Sequence, residues 1–450
     1  MNDLMIIYLC CSQPATGTLN ILPSNRFGSY IENRINGRKI RLEMKVLALV
    51  LCLALVTALV IGLVACNPEE ERVVNLKPIA KEDIKIGLIC LHDEQSTYDK
   101  NFIDAMQEAV SELGLKEDQL VIKKGIPETE KCYNTAVELV EQGCNIIFAD
   151  SFGHEDHIMR AAEEYTDVRF FHATGTKAHT ADLGNYFNAF ASIYEGRYLA
   201  GVAAGMKLVQ LYGDAEGKVS DVNAKIGYVG AYAYAEVKSG YTSFFLGVRS
   251  IVPNATMEVK FTSSWYDEAA ENTTAKTLIQ NGCKLISQHA DSMGAPTACK
   301  EKGIPNVTYN ISTEKDCSGS YVIGSRINWA PYYKFIVEST INNTKIPYDW
   351  TGTVATKSVE LLEIGTAAAP GTAEKLEEVK AALANGTVKV FDTKNFTVKG
   401  QHITSFKADV DSDEAFTPDT EVVENGVLLE SKFRSAPYFT LDVDGITLLA

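Results

Sequence analysis

The sequence predicts an α/β protein of two lobes, each a parallel sheet wrapped by helices. Short apolar runs of strand length alternate with segments of helical period, which is the rhythm of a sheet covered on both faces. That rhythm restarts once, after about residue 210. The chain beyond its leader, about 385 of the 450 residues, exceeds one ordinary domain.

The elements follow in order. "IKIGLIC" (84–90) is apolar on both faces, as a buried strand must be, and Phe102, Ala105, Met106, Ala109, Val110 and Leu113 recur at helical spacing after it. "QLVIKKG" is the next strand and "YNTAVELVEQG" the next helix. "NIIFAD" (145–150), "HIMRAAEEY" and "VRFFHATG" continue the alternation. After "NYFNAF" and a helix from Glu195 to about Gln210, the second series begins at "KIGYVGAY" (225–232). It runs through the strands "MEVKFT", "KLISQH" (284–289), "NVTYNIS" and "YVIGSRIN" (321–328), with helices between them.

Ahead of this body lies an apolar run of 20 residues, Val46 to Ala65, broken only by Thr57 and Gly62. Its length would span a bilayer, but its edges predict a lipoprotein signal peptide over 44–65. Met44-Lys45 supplies a start and a positive charge, and Leu63-Val64-Ala65-Cys66 puts small residues before a cysteine, so Cys66 is the predicted lipidation site and mature N-terminus. Residues 1–43, with Cys10, Cys11 and scattered Arg, read as an upstream translation artefact. Residues 66–83 are charged and aperiodic, as a tether is.

Removing residues 1–65 takes away six basic and three acidic residues and leaves 36 basic against 55 acidic, a net charge of −19. No basic field remains to displace counterions, so nucleic-acid binding is not expected. Cys90, Cys132, Cys144, Cys283, Cys299 and Cys317 form no C-x-x-C pair and have no His at zinc spacing. No metal or cofactor is predicted, and Cys90 and Cys283 suit buried free thiols. The N-x-S/T triplets at Asn272 and Asn306 read as chance. "DVDSDEAFTPDT" (409–420) fails as a calcium loop, with Glu414 at the glycine position and Thr420 in place of the bidentate Glu.

Ligands of open α/β sheets collect past the carboxyl ends of the strands. Those positions are 92–101, 150–153, 172–175, 231–236, 263–267, 289–292 and 328–329, and they are rich in Trp, Tyr, Asp and Asn. Aromatics with a few carboxylates and amides suit a flat polar ligand. In "DSFGHEDH" (150–157), Ser151 and the N–H groups near Gly153 are candidates for a polar edge, the alternative being a helix cap with Phe152 in the core. In "SSWYDEAAE" (263–271), Asp267 is a good N-cap, and Trp265 is a cleft residue or a core one. "SQHADSMGAP" (287–296) holds His289, Asp291 and Ser292, too close in sequence to form a catalytic triad. The chain is therefore not predicted to be an enzyme.

The segments "NIIFADSFGHEDHIMRAAEEYTDVRFFHATG", "NAFASIYEGRYLAGVAAGM", "IGYVGAY", "SSWYDEAAE", "LISQHADS" and "INWAPYY" resemble, in order, the motifs of the basic membrane lipoprotein (BMP) family of ABC-transporter substrate-binding proteins. The resemblance covers about residues 84–365. It implies a type I periplasmic-binding-protein fold, two doubly wound lobes joined by three crossings. Lobe 1 is then 84–189 and 326–348, lobe 2 is 190–325 and 349–400, the hinge lies near Asn188 and Ser325, and 401–450 is an extension of unknown role. The matching motifs carry over Ser151, Phe152 and Gly153, then Trp265 and Asp267, then His289, Asp291 and Ser292, and finally Asn328 and Trp329, with Asn188 at the hinge. Where the closest branch has a "GDxGWTY" loop, this chain has "HDEQSTYDKNF" (92–102), so Tyr98 stands in as the stacking ring with Asp99 and Asn101 as polar neighbours.

The implied function is a lipid-anchored receptor on the extracytoplasmic face of the cell membrane. It would pass a purine nucleoside or nucleobase to the permease and ATPase subunits of an ABC importer. The alternatives are a ligand-sensing surface lipoprotein that signals to a membrane partner, and a binder of another flat heterocycle such as a flavin.

Overall fold

Five apolar segments and one polar one build the first sheet. They are β1 (Ile86–Ile89), β2 (Leu120–Lys123), β3 (Ile146–Ala149), β4 (Arg169–Ala173), β5 (Tyr186–Ala191) and, far along the chain, β11 (Asp349–Gly352). The structure is a computed structural model that describes residues 76–410 and 418–450. Residues 1–43, the predicted signal peptide, Cys66 and the first part of the tether (66–75) lie outside the described residues, as does most of the acidic stretch 409–420. Among the described residues no helix is long and apolar enough to cross a membrane.

The first sheet runs β11-β5-β4-β3-β1-β2, all parallel. Its inner strands β1, β3 and β4 are buried along their whole length, because helices cover both faces. On one face α1 (Thr97–Glu112) packs beside α9 (Ala330–Asn342), joining Phe102 and Met106 to Trp329, Tyr333 and Ile336. On the other lie α2 (Glu130–Glu141) and α3 (Glu155–Glu164), which pack Leu139 and Ile158 against the sheet.

The second sheet is built from β6 (Lys225–Gly230), β7 (Thr256–Phe261), β8 (Ile286–His289), β9 (Asn306–Tyr309), β10 (Tyr321–Ile327), β12 (Val359–Leu361) and β13 (Ile446–Leu449). Its order is β12-β10-β9-β8-β6-β7-β13, parallel except for β12. The helix α4 (Ile193–Tyr212) is apolar almost all round and buried accordingly, packing on α5 (Ala235–Arg249). Glycine sets their separation: a Cβ on Gly201 would lie 2.1 Å from the Phe244 carbonyl oxygen, and one on Gly247 would lie 2.1 Å from that of Tyr198. The opposite face carries α6 (Glu268–Gln280) and α7 (Gly294–Lys302), followed by the single-turn α8 (Glu314–Cys317). The helix α10 (Thr372–Ala384) packs on α4.

The chain passes between the sheets three times: from β5 into α4, from β10 into α9, and from β11 into β12. Two sequence-based boundaries differ from this. Residues 349–352, assigned to lobe 2, pair with β5 of the first sheet, Asp349 opposite Asn188. This strand is half-buried and polar at its start, so its partner is set by distant pairing and not by local pattern. The 401–450 segment belongs to the second lobe's core, where Val422, Leu428, Tyr438, Phe439 and Val443 are buried, and its last strand extends the sheet beside β7. It also reaches the first sheet, where Ser435 N–H donates to Asp349 Oδ2 at 3.0 Å and Asn188 Nδ2 donates to Ser435 Oγ at 2.9 Å. The six described cysteines are buried and unpaired with one another.

Candidate ligand-binding site

The carboxyl ends of the two sheets' strands face one another, and a narrow, nearly closed cavity of about 20 Å³ lies between them. Leu91, Tyr98, Asp99, Ser151 and Phe152 line it from the first lobe, and Glu236, Trp265, His289 and Asp291 from the second. The lobes meet at its margin: Thr97 N–H donates to the Asp291 carbonyl oxygen at 2.8 Å, and Phe152 meets Tyr234 at a ring distance of 5.5 Å.

On the first-lobe side the polar groups are satisfied by the protein. Ser96 caps α1, and Asp99 in its first turn accepts the His92 N–H at 2.8 Å and the Ser96 hydroxyl at 2.5 Å. Burial pushes Asp99 upward, but those bonds and the adjacent His92 outweigh it and hold the carboxyl below its usual range. The Tyr98 hydroxyl donates to the Asp150 carbonyl oxygen at 2.7 Å, and its ring packs on Phe102 at 4.8 Å. Ser151 Oγ and the Gly153 N–H both donate to Glu128 Oε1, at 2.6 and 2.7 Å. A Cβ at Gly153 would sit 2.6 Å from the Glu128 carboxyl carbon, so a larger residue there would displace the Glu128 side chain.

Behind this wall Cys90, Asp99 and Asp150 bring their ligand atoms within 4.8 Å of one another. Burial, then the charges of Asp150 and Asp99, push the Cys90 thiol well up; burial, then Asp99, does the same to Asp150.

The second-lobe side is different. Asp291 holds its place through its main chain, its N–H donating to the Trp265 carbonyl oxygen at 2.9 Å. Among the described residues its carboxylate has no hydrogen bond from the protein. Burial, followed by the charges of Glu271, Asp99 and Glu236, pushes Asp291 well up. Glu236 Oε1 lies 3.3 Å from His289 Nε2 as an ion pair, and it is buried with no hydrogen bond that meets good geometry. The His289 ring meets Tyr309 edge-on at 4.7 Å, and burial pushes His289 down toward the neutral form. Trp265 stands at the tip of β7 against Tyr232, 5.1 Å between ring centres.

Of the residues picked from sequence, the structure thus brings together Tyr98, Asp99, Ser151, Phe152, Trp265, His289 and Asp291. The others serve elsewhere. Asn101 donates to the Ile327 carbonyl oxygen at 2.7 Å, tying α1 to the second crossing. Asn188 bonds the Gly175 N–H, Asp349 and Ser435. Asp267 caps α6 through the Ala270 N–H at 2.9 Å, and Ser292 accepts the Gly294 N–H at 3.0 Å. Asn328 accepts the Ala330 N–H and donates to Glu360. Trp329 is stacked on Phe102 at 4.5 Å in the first lobe's core. Glu236 and Leu91 are the lining residues left out of that selection. Glu236 could have been found, since it is a carboxylate in the first turn of a helix that follows a buried strand.

Comparison with known proteins agrees with this arrangement. The profile of the Bmp family, described as "ABC transporter substrate-binding protein PnrA-like", matches residues 86–390. A purine-binding protein of Brucella abortus is 31% identical over 268 residues, 59% of this chain and 71% of that protein. A Haloferax volcanii protein, provisionally named as an ABC transporter glucose-binding protein, is 34% identical over 195 residues, 43% of this chain and 46% of its own length. Among solved structures, an ABC transporter solute-binding protein from Conexibacter woesei superposes with a TM-score of 0.55 at 18% identity, over 68% of this chain and 98% of its own. One from Aeropyrum pernix does so with 0.56 at 14% identity, over 71% and 94%. These two establish the type I periplasmic-binding-protein fold, and the family match goes further: the chain belongs to the Bmp family of PnrA-like ABC transporter substrate-binding proteins.

Proposed function

We propose that the protein is a lipid-anchored, extracytoplasmic receptor that holds a purine nucleoside or nucleobase between its lobes and delivers it to the permease and ATPase subunits of an importer. The observation that carries the reading is that aromatic rings from both lobes, Tyr98 and Phe152 from one and Trp265 from the other, line a single cavity together with the Asp291 carboxylate. A purine offers two apolar faces and an edge of donors and acceptors, which is the complement of such a cavity. The purine-binding relative in Brucella abortus supports the same ligand class. In this reading Cys66 carries the lipid, and closure follows from ligand contacts made to both lobes at once.

The test is a thermal-shift screen of the soluble body, residues 76–450, against nucleobases, nucleosides, flavins and glucose. A ligand at 100 times its dissociation constant that binds only the folded state adds about 2.7 kcal/mol of stability. Purines should raise the melting temperature; a rise with glucose or flavin alone would overturn the ligand assignment. Mass spectrometry of the membrane fraction tests the anchor, which requires an acylated Cys66 at the mature N-terminus.

A further inference from the structure

We propose that the second-lobe wall selects purines bearing an exocyclic amino group and rejects anionic ones, with Glu236 as the residue that reads the amino edge. The proposal rests on the purine reading above and deepens it.

Three carboxylates, Asp99, Glu236 and Asp291, line the cavity, and no Lys or Arg does. Asp99 is occupied by the His92 N–H and the Ser96 hydroxyl. Glu236 and Asp291 are not: Glu236 Oε1 is buried with no hydrogen bond, and the buried Asp291 side chain takes no protein hydrogen bond among the described residues. An acceptor buried without a donor is costly, and the cost is recovered only when an N–H or O–H arrives. A ligand that supplies donors completes this wall, whereas one that presents a carbonyl at the same place sets acceptor against acceptor.

The surroundings of Glu236 fix its role. His289 Nε2 stands 3.3 Å away. The ring's other nitrogen, Nδ1, is buried and unpartnered, facing Gly240, where an added Cβ would lie 3.1 Å from it. The nearest guanidinium below, Arg197, is fully buried, lies 4.7 Å over the Tyr309 ring and donates to the Gln288 carbonyl oxygen, so it does not reach the cavity. A second hollow, bordered by His92, Lys124 and Tyr266, contains a cation, but Lys124 is ion-paired with Glu94. Neither place offers a phosphate a free positive partner, and the carboxylates repel it. Burial first, and then the charges of Glu271, Asp99 and Glu236, push Asp291 up, so those neighbours set a negative field along this wall.

The experiment is isothermal titration at pH 7.5 of the parent protein with adenosine, guanosine, inosine, their free bases and adenosine 5′-monophosphate. Inosine differs from guanosine only by the missing 2-amino group, and from adenosine by an oxygen at the 6-position. A site built to hydrogen-bond a group rejects the analogue lacking it, so at least one amino purine should bind about tenfold or more tighter than its oxo counterpart. The monophosphate should bind at least as much weaker than adenosine. Glu236→Gln keeps the shape and adds an amide donor, so it should reduce the amino preference and improve binding of the oxo purine; Asp291→Asn provides the same readout if Glu236→Gln does not fold. Equal affinities for amino and oxo purines, or a monophosphate that binds as tightly as adenosine, would overturn the inference while leaving the purine reading intact. No binding of any purine would overturn both.

Discussion

The two walls of the cavity are built from the same kinds of residue and use them differently. On the first-lobe side every carboxylate or hydroxyl that lines the cavity is bonded by the protein: Asp99 by His92 and Ser96, Ser151 by Glu128, Tyr98 by Asp150. On the second-lobe side Glu236 and Asp291 are held in position by main-chain and packing contacts, with their acceptors unfilled. In the proposed reading the polar atoms of the first wall are structural, and those of the second are the ones left for a ligand. The difference shows why lining a cavity is a poor guide to function by itself. What matters is whether the protein has already used the polar atom.

The sharpest way to break this comparison is to truncate the occupied carboxylate. Asp99→Ala orphans the His92 N–H and the Ser96 hydroxyl at the start of α1, and each donor left unpaired in a buried place costs about 1 to 3 kcal/mol. We expect a large fall in melting temperature in calorimetry, with ligand affinity largely preserved in the folded fraction. A variant as stable as the parent but defective in binding would place Asp99 among the residues that touch the ligand.

Next in size is Trp265→Ala. Stacking a base on an aromatic ring contributes about 1 to 3 kcal/mol, so binding should weaken roughly tenfold or more. The Trp265 ring rests on Tyr232 and Tyr234 near the surface, so stability should change little. A lowered melting temperature with unchanged affinity would return Trp265 to the core.

A smaller effect concerns Glu271, which lies behind Asp291 and accepts the Ser292 N–H at 3.2 Å. Burial first, against the opposing hydrogen bonds, pushes Glu271 up to about 7. Its folded pKa is above the unfolded one, so its contribution to stability is fully present below about 4.3 and is lost as pH rises through 7. Glu271→Gln stays neutral throughout. The stability of the variant minus that of the parent, from urea denaturation, should therefore increase between pH 5 and pH 8, by on the order of 1 to 3 kcal/mol. A flat difference would show that burial does not hold the Glu271 carboxyl above its usual range.

The fold was legible because both sheets are buried on two faces, which leaves uninterrupted apolar runs such as "IKIGLIC" and "NIIFAD" for local pattern to find. The edges were not legible. Asp349–Gly352 and Ile446–Leu449 are partly exposed and acquire partners only through pairing across long stretches of chain. At the site, the strand-end rule located the right loops but could not say which side chain in each loop turns inward. Asp267 and Trp265 are two residues apart, yet one caps a helix and the other lines the cavity. Trp329 follows the end of a strand as Trp265 does, but a helix begins beside it and folds it into the first lobe's core. Glu236 lies within the 231–236 segment, but a glutamate in a helix's first turn is also a favourable dipole partner, and sequence alone does not separate the two roles.

The most direct measurement of the central claim is calorimetric titration of Asp291→Ala with the purine that binds the parent best, alongside its thermal denaturation. Asp291 is an acceptor that the protein leaves free, so its removal should deprive the ligand of a buried partner and weaken binding by about 1 to 3 kcal/mol, roughly five- to a hundredfold, with the melting temperature of the ligand-free protein unchanged or raised. An unchanged dissociation constant together with a lower melting temperature would contradict the account, because it would make Asp291 structural and leave the second wall with no advantage over the first.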